Sequence, residues 1–571
     1  MMKRISILIP LICVLTIVLW RFTSARPITY YHYLSNFETT ENDEIIWFWT
    51  YDTIWGPLHS NDYIGLKYSP HFFGQVSTCK DRFISFQNNG HFEIEPVFNA
   101  PPVLLPESYP HLIRMAFPVI EDDDGRLMTR IVLRGESGFD VYQYPMGEPS
   151  PEPGDEGRRT RHYRQVDERV IYVDGKSEVC GVLVGRMTIY SSGDMYLVDN
   201  IIYDGARAAN GWFDEDEMEH MLGLVSDRNI IIRNNYHNGR DNGFWAHQEA
   251  AIQWHSITIN AALVALDQSF TFEHQNDDWE AYQGPMPDDR GIIHLKGSIA
   301  QYRKGYLHRS NHLGTGYSRD FQYDTRLMES APPGLESDEP QGVSGNYDIL
   351  NLFDGPYLLS AVTVRKLIVR AGVEVILRGN DALHVSDTLE VNGTVEQPVI
   401  FSTEEDIYPG TIRVSGGLFS RAYFRHTNAT SMVTLRFRAD SIDFDHCRIS
   451  GEVFVGGDVR FVSNLFSSPV ELTSYDQALV DRNVFEDGLR IKGSVEDGEV
   501  YNNTFAGSQH NTGLELSHFR SIEFVNNIIA FNRKGIEQHY RGEPILRYNC
   551  VYGNRGGDYI DCEPGEGSIS A

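Results

Sequence analysis

The sequence is poor in cysteine and in basic residues, and both shortages limit what the protein can be. Six cysteines in 571 residues are too few and too scattered for a disulfide-built scaffold, and no spacing among them is typical of a zinc site. Lys and Arg number 49 against 79 Asp and Glu, which gives a formal net charge of −30. Such a surface repels phosphate backbones, so we expect no nucleic-acid partner.

Common catalytic motifs and multiple membrane spans are missing as well. The chain has no Walker loop, no GxSxG elbow and no GxGxxG in a βαβ setting, so nothing indicates a nucleotide or a serine-hydrolase site. The composition also excludes collagen, coiled coil and a multi-span membrane protein. What is abundant is Gly (50), Tyr (30) and Phe (30), which favours a mainly β architecture with many turns.

The N-terminus predicts export. Lys3 and Arg4 precede an apolar run over residues 5–20, and Ala25 ends a stretch of small residues suited to cleavage. As a helix the run rises ~24 Å, short of the ~30 Å hydrocarbon core. This favours a signal peptide over residues 1–25, with a short membrane anchor as the alternative. Either way the remainder is expected outside the cytoplasm (extracellular, periplasmic or anchored), and it touches the membrane only through this segment.

Five cysteines follow the signal. Cys550 and Cys562 are close enough in sequence for one disulfide in an oxidising compartment, and Cys79 with Cys180 is a second pairing to consider. We favour the alternative to disulfide bonding, namely that all five cysteines, including Cys447, are small buried hydrophobic residues.

Two composition breaks divide the chain. Residues 145–157 are rich in Pro, Gly and Glu and predict an insertion loop. Residues 331–346 have the same character and predict a linker. We therefore expect a β-rich domain over 45–330 and a second domain over 347–571.

The second domain contains an internal repeat of about 20 residues. An Asn or His followed by apolar residues recurs with spacings of 20, 18, 19, 20, 24 and 22 residues. These anchors are His426, His446, Asn464, Asn483, Asn503, Asn527 and Asn549. The residue two positions after each anchor is apolar in five of the last six, with Arg448 as the departure. The period suits a coil of three short strands, with coils stacked at ~4.8 Å and the Asn side chains bonded from rung to rung at a bend.

On these repeats the chain resembles the right-handed parallel β-helix family over about residues 350–571. The segments 367–375 and 383–403 look like the first coils of that family. The resemblance implies a mainly β fold with a right-handed parallel β-helix at the C-terminus. It implies little about activity, because the family includes lyases, glycosidases, adhesins and proteins without known activity.

The C-terminal end is unusual for that family. Similar proteins often continue beyond a string like that of residues 549–571 with an Asp-Pro-x-Phe turn and further coils. A solenoid needs a capped end. We therefore expect the solenoid to be truncated or to be capped in an unusual way.

The region 45–330 carries a second resemblance. The string GPLHSND over residues 56–62 and the string FFGQV over residues 72–76 are similar to a motif of an uncharacterised family of bacterial envelope proteins, some of them beside type IV pilus components. Similar strings continue at 185–205, 222–232, 259–266, 294–305 and 316–327. The resemblance implies an envelope location and a β-rich fold, without a known chemistry.

Candidate chemistry in the solenoid is sparse. Arg490-Ile491-Lys492 is similar to one motif of polygalacturonases, but the other motifs are absent, so we interpret it as an alternating strand. The acids Glu404, Glu405 and Asp406, and separately Asp443 and Asp445 beside His446, are the residues from which a Ca²⁺-dependent lyase would draw its ligands. We interpret the first group as a solvated turn.

Two groups of polar residues in the first domain are further candidates. His237, Asp241 and His247 lie in a Gly- and Asn-rich loop and could ligate a metal, but no regular spacing supports this. His59 and Asp62 belong to the GPLHSND motif, and we expect them to stabilise a turn.

The sequence therefore predicts an exported bacterial envelope or surface protein, a structural, adhesive or carbohydrate-binding solenoid. No residue is assigned to catalysis, to a cofactor or to a metal. The first alternative is a polysaccharide lyase or glycoside hydrolase, with Ca²⁺ as the cofactor of the lyase. The second alternative is a pilus-assembly protein. The expected partners are polysaccharide or other envelope components.

Overall fold

The structure is a computed structural model, and it describes most of the chain in two compact units. The described residues are 26–40, 42–87, 89–122, 124–157, 159–238, 256–275, 289–309, 314–337, 340–404, 409–416, 419–473, 477–492, 497–540, 542 and 544–570. The N-terminal unit is Arg26–Ser337 and the C-terminal unit begins at Asp338. The predicted signal peptide or anchor lies outside the described residues. Within them, no helix is long and apolar enough to cross a membrane.

The C-terminal unit is a parallel β-solenoid. In its described residues, 26 strands form one sheet in which strands pair in parallel with their counterparts in the next coil. Each coil places strands on three faces, which we call face 1, face 2 and face 3 in chain order. The parallel β-solenoid predicted for the C-terminal half of the chain is thus confirmed, and its first strand is Gln341–Leu352. The right-handed sense stays a prediction.

The strands of the solenoid are distributed over these three faces. Face 1 holds Glu374–Leu377, Val399–Thr403, Thr427–Ala429, Arg448–Ile449, Leu465–Phe466, Val484–Phe485, Thr504–Ala506, Ile528–Ala530, Cys550–Tyr552 and Ile569–Ser570. Face 2 holds Gly410–Ser415, Val470–Thr473, Leu489–Lys492, Thr512–Ser517, Lys534–His539 and Tyr559–Ile560. Face 3 holds Arg421–Arg425, Gln477–Asp481, Asp497–Tyr501, Ile522–Val525 and Ile545–Arg547. Longer strands bend across several faces: Gln341–Leu352, Pro356–Arg370, Leu383–Asn392, Val433–Asp445 and Val453–Val462.

Columns of apolar side chains fill the interior. Phe466, Phe485 and Phe505 lie in register on face 1 and are fully buried. Their rings stack at centroid distances of 5.0 Å and 4.8 Å, with interplanar angles of 13° and 8°. The spacing matches the rise of one coil, so each ring rests on the ring of the coil before it.

A ladder of buried asparagines runs along the corner between face 3 and face 1. Asn483 Oδ1 accepts hydrogen bonds from the backbone N–H and the side-chain Nδ2 of Asn464, both at 2.9 Å. The same pair of bonds recurs from Asn483 to Asn503, from Asn503 to Asn527 and from Asn527 to Asn549. The predicted rung-to-rung bonding is confirmed, and it satisfies polar groups that water cannot reach.

The predicted repeat is out of register by one residue in its first two rungs. The backbone N–H that donates to Asn464 Oδ1 belongs to Cys447, so Cys447 and not His446 occupies the ladder position. His446 has a φ of 56°, and the residue before each ladder Asn is likewise left-handed, as Ser463 is at 59°. With this correction the residue two positions on is Ile449, and the apparent departure at Arg448 disappears. The residue before the ladder position, and not the ladder Asn itself, adopts the unusual backbone at the bend.

We expect Asn503→Ala to destabilise the solenoid by about 3 kcal/mol, because it leaves buried donors and acceptors of two neighbouring coils without partners. The measurement is the midpoint of urea unfolding together with amide hydrogen exchange across residues 480–530. The control is Asn502→Gly at the adjacent left-handed position, where glycine is tolerated and the change should stay within about 1 kcal/mol. Equal effects of the two variants would contradict a structural role for the ladder.

The N-terminal unit is also built from parallel strands stacked in coils, which the sequence showed only as a β-rich domain. One column contains Val119–Glu121, Glu168–Asp174, Arg186–Ser191, Met221–Ser226, Ile257–Ala265, Asp289–Arg303, Tyr33–Phe37, Leu58–Ser60 and Val76–Thr78 in spatial order. Neighbouring columns contain Leu127–Arg134, Ser177–Leu183, Met195–Tyr203, Ile230–Ile232, Phe270–Phe272 and Thr315–Tyr323. Two small parallel sheets contain Phe48–Trp49, Gly65–Lys67, Ile84–Phe86, and Thr53–Ile54, His71–Phe72, His91–Phe92.

The remaining elements of this unit are short. Phe139–Pro145, Arg161–Tyr163 and His308–Arg309 pair antiparallel with their neighbours, and the predicted insertion 145–157 connects the first two. Short helices are Ile28–Tyr30, Pro110–Met115, Gly135–Ser137, Tyr236–Asn238 and Thr325–Met328.

The segment 331–346 does not stand apart from the units as the composition suggested. The carbonyl of Pro333 accepts a hydrogen bond from Thr188 Oγ1 at 2.7 Å, and Leu335 is buried in the N-terminal unit. Residues 341–346 already belong to the first strand of the solenoid.

The first described strand is a middle rung of the N-terminal stack. Tyr33–Phe37 pairs in parallel with Asp289–Arg303 on one side and with Leu58–Ser60 on the other. From this strand the described chain winds to one end of the stack, continues at the other end and winds back until Asp289–Arg303 pairs with Tyr33–Phe37.

A buried ion pair lies at this junction. Lys304 Nζ is 3.0 Å from Glu38 Oε2, and both side chains are almost fully inaccessible to water. The ammonium group also lies over the Phe48 ring, 3.1 Å from its centroid. Burial lowers the pKa of Lys304, while the Glu38 carboxylate opposes that shift.

We expect Lys304→Met to destabilise the N-terminal unit by about 3–5 kcal/mol, because Glu38 would remain buried without a countercharge. Thermal unfolding followed by circular dichroism measures this. Lys80→Met is the control, because Lys80 is half-exposed and lies 3.8 Å from Asp62, a geometry that contributes about 1 kcal/mol or less. If Lys304→Met lost no more stability than Lys80→Met, the stabilising role of the buried Lys304–Glu38 pair would be contradicted.

Candidate functional site

The residues of the GPLHSND motif hold coils together. His59 is buried, with Nδ1 2.8 Å from Ser77 Oγ and Nε2 2.9 Å from Asn61 Oδ1. Asn61 Nδ2 donates to the carbonyl of Val103 at 2.9 Å. Burial lowers the pKa of His59 to about 4, so its ring is neutral near pH 7. Asp62 Oδ2 accepts from the backbone N–H of Glu38 at 3.3 Å, a residue 24 positions away, so this contact joins two coils and is not the local turn contact that we expected.

The other candidates of the sequence that have described positions each pair with a different neighbour. His237 Nδ1 lies 3.3 Å from Asp199 Oδ2, while Asp241 and His247 lie outside the described residues. Glu404 forms an ion pair with Arg378.

Glu405 and Asp406 also lie outside the described residues. On face 3, Asp443 Oδ1 is 2.9 Å from Arg460 Nη1, and Asp445 Oδ1 is 2.7 Å from His446 Nδ1. Burial raises the pKa of Asp443, and Arg460 opposes the shift. Asp443 and Asp445 are thus each paired with a neighbouring side chain.

The five cysteines after the predicted signal are free thiols, and neither proposed disulfide is formed. Cys180 and Cys447 are buried, as expected of small hydrophobes. Burial raises the pKa of Cys79, Cys180 and Cys447 to about 12 each, and that of Cys562 to about 11. Thiols with such pKa values are poor nucleophiles at neutral pH.

The Arg490-Ile491-Lys492 string is the alternating strand we predicted, but its outward side chains belong to a larger cluster. Ile491 points into the core, while Arg490 and Lys492 point outward on face 2. Arg490 Nε is 2.7 Å from Glu515 Oε2, and Lys492 Nζ is 3.1 Å from Glu471 Oε2. The register of three coils brings these four groups together, although they are about 20 residues apart in sequence.

The next coil adds a second carboxylate and an imidazole. Glu537 follows Glu515 in register, and His539 Nε2 lies 3.7 Å from Glu515 Oε1 and 3.6 Å from Glu537 Oε1. Glu537 is only 6% exposed. Burial alone would raise the pKa of Glu537, but hydrogen bonds from Lys534 and Thr512 outweigh burial and lower it. We call the residues Glu471, Arg490, Lys492, Glu515, Glu537 and His539 the face 2 cluster.

An arginine-lined groove lies on the same face in the preceding coils. It has a volume of about 640 Å³ and contains the outward side chains of Arg413, Arg436 and Arg438. The Arg436 guanidinium lies over the Phe454 ring, 4.2 Å from its centroid. Among the described residues no carboxylate is within ion-pair distance of Arg436 or Arg438.

Glycine makes room for this groove. Gly457 has a φ of 140°, and a Cβ there would lie 1.7 Å from the carbonyl oxygen of Ala439. Only glycine fits such a position. Gly456, its neighbour, follows Arg438 in register and leaves the space over that arginine open.

The groove and the cluster form one continuous strip along face 2. A single outward column connects them, in the order His384, Arg413, Arg436, Phe454, Glu471, Arg490, Glu515 and Glu537. One half of the strip is lined mainly by arginines, with Asp440 among the lining residues and Arg413 Nη2 paired with Asp381 Oδ1 at 3.1 Å. The other half is a network of acids with Arg, Lys and His. We had not predicted this strip, although the alternation of each face 2 strand was visible.

Comparisons with known proteins found no match. No protein-family model matches the chain, and neither a curated protein nor a solved structure is similar to it. The likeness to parallel β-helix proteins therefore stands on the fold, and the likeness of residues 45–330 to an envelope family stays a prediction.

Proposed function

We propose that the protein is an exported envelope or surface protein whose C-terminal solenoid binds acidic polysaccharide along face 2. The observation that carries the proposal is the arginine-lined groove, with two guanidinium groups free of described carboxylates, on a chain with a net charge of −30. Exposed guanidinium groups such as those of Arg436 and Arg438, which pair with none of the described carboxylates, are free to bind an anion from outside the chain.

The geometry of the groove suits a chain of uronate or sulfated sugars. Guanidinium groups bind carboxylate and sulfate oxygens through paired, charge-assisted hydrogen bonds. Arg413 and Arg436 are on adjacent coils, which are ~4.8 Å apart, a rise comparable with the length of one sugar residue. The half-exposed ring of Phe454 offers an apolar surface on which a pyranose ring can pack.

We expect the full chain to bind polygalacturonate or another polyuronate and not a neutral polymer such as dextran. The double variant Arg436→Ala, Arg438→Ala should weaken binding at least about tenfold, since a lost charge-assisted hydrogen bond costs about 1.5–3 kcal/mol. Binding should also weaken as salt is raised. A glycan array followed by titration calorimetry measures both.

The matched control is Arg421→Ala, which removes an exposed arginine from face 3 of the same solenoid. It should bind like the unmodified chain. Equal losses of affinity in the double variant and in Arg421→Ala would show that binding follows net charge alone. That result would contradict binding in the groove.

The face 2 cluster favours a second candidate, a polysaccharide lyase or hydrolase. Two carboxylates of adjacent coils share one imidazole and lie beside Arg490, which is the combination of acids and bases that cleavage of a uronate polymer requires. Arg490 and Lys492 could neutralise the sugar carboxylate, while Glu515, Glu537 and His539 are the groups able to transfer protons.

Under this candidate we expect polyuronate to be depolymerised, measured by new reducing ends and unsaturated uronate, with and without Ca²⁺. Glu537→Gln should slow turnover at least about 100-fold, as expected for the loss of a general acid or base. Glu499→Gln, an exposed acid on face 3, is the control and should leave the rate unchanged. Binding without turnover would reject the enzyme and leave the binding proposal standing.

A further inference from the structure

A separate group of possible metal ligands lies on the N-terminal unit, far in sequence from the face 2 strip. Among the residues with described positions, His71, His91 and Glu93 are the only three His, Cys, Asp or Glu side chains whose ligand atoms all lie within 4.8 Å of one another. None of the sequence candidates included them.

The register of a small sheet brings the three together. His71–Phe72 and His91–Phe92 pair in parallel, with His71 directly opposite His91. The alternation of a strand turns Phe72 and Phe92 inward and leaves the two histidines on the outer surface. Glu93 is two residues after His91, so it points to the same side.

The donor atoms have the separations of a metal site. Glu93 Oε1 is 2.9 Å from His71 Nε2 and 3.2 Å from His91 Nε2, and the two imidazole rings are 4.4 Å apart between centroids. Tetrahedral zinc with bonds of about 2.0–2.1 Å places its ligand atoms roughly 3.4 Å apart. The two distances from Glu93 are within about half an ångström of that value, and the distance between the two imidazole nitrogens is at most 4.8 Å, so the three side chains are near enough to share one ion.

An aromatic stack holds one of the ligands in place. The His71 ring lies on the Phe73 ring at 4.1 Å and 21°, and Phe73 lies on Trp55 at 4.4 Å and 11°. A ring fixed in this way loses little freedom on binding a metal. Two imidazoles and one carboxylate suit Zn²⁺ and its transition-metal neighbours, whereas Ca²⁺ and Mg²⁺ prefer oxygen ligands alone.

We propose that His71, His91 and Glu93 bind one Zn²⁺ ion at the surface of the N-terminal unit, through His71 Nε2, His91 Nε2 and a Glu93 oxygen. Three protein ligands leave the fourth tetrahedral position to water or to an oxygen of an incoming ligand. The site is independent of the polysaccharide proposal, because it lies in the other unit and uses none of the same residues.

The test is titration of the metal-free full chain with Zn²⁺ in competition with a chromophoric chelator. We expect one ion per chain at this site, and the His91→Ala and Glu93→Gln variants should each weaken its binding at least about tenfold, the cost seen even for outer-shell changes. Co²⁺ in place of Zn²⁺ should give the visible absorption of a tetrahedral site, and Zn²⁺ should raise the Tm of the unmodified chain but not of His91→Ala.

The matched control is His162→Ala, which removes a histidine whose Nδ1 is 2.8 Å from Asp140 Oδ1, the one acidic or imidazole partner it has in the described part of the chain. It should bind Zn²⁺ like the unmodified chain. His91 is largely exposed, so its variant should keep the native far-ultraviolet circular dichroism. The inference would be overturned by the absence of stoichiometric binding, or by His91→Ala and Glu93→Gln binding as tightly as the control.

Discussion

Each coil must lie in register on the one before it, and every other property of the C-terminal unit depends on that requirement. The asparagine ladder enforces it, because an Asn side chain can serve the backbone of its neighbour only when the two coils are aligned to within one residue. The stacked rings of Phe466, Phe485 and Phe505 need the same alignment. Polar and apolar columns therefore select a single register together, and a slip of one residue would break both at once.

The same register organises the outer surface. Side chains that are distant in sequence become neighbours because they occupy equivalent positions in successive coils, as Glu471, Arg490 and Glu515 do. A solenoid can thus extend a binding surface by repeating a position, and it can change the character of that surface by changing one residue per coil. Along face 2 the change from arginines to a mixed network of acids and bases takes place within two coils, at Phe454 and Glu471.

The parts of this architecture that have a regular period could be predicted from the sequence. The ladder from Asn464 to Asn549 and the apolar column beside it follow directly from spacings near 20 residues. The error at His446 arose because His occupies the left-handed corner and the small thiol of Cys447 takes the ladder position. The face 2 cluster was missed because the loops between the ladder and face 2 lengthen after Asn503, so that Glu515 and Glu537 no longer share a fixed offset. The N-terminal stack has longer and less even coils, and its spatial order is not its chain order.

The spatial order of the strands in the N-terminal stack differs from their order in the chain, and this affects how they pair during synthesis. The strand Tyr33–Phe37 is among the first to leave the ribosome, and it can pair at once with Leu58–Ser60. Its other edge stays unpaired until Asp289–Arg303 has been synthesised, some 250 residues later. Throughout that interval an unpaired strand edge of the N-terminal coils is open to any other extended chain. A protein built in this way depends on folding conditions that keep the early coils apart from other extended chains until the late strand has been made.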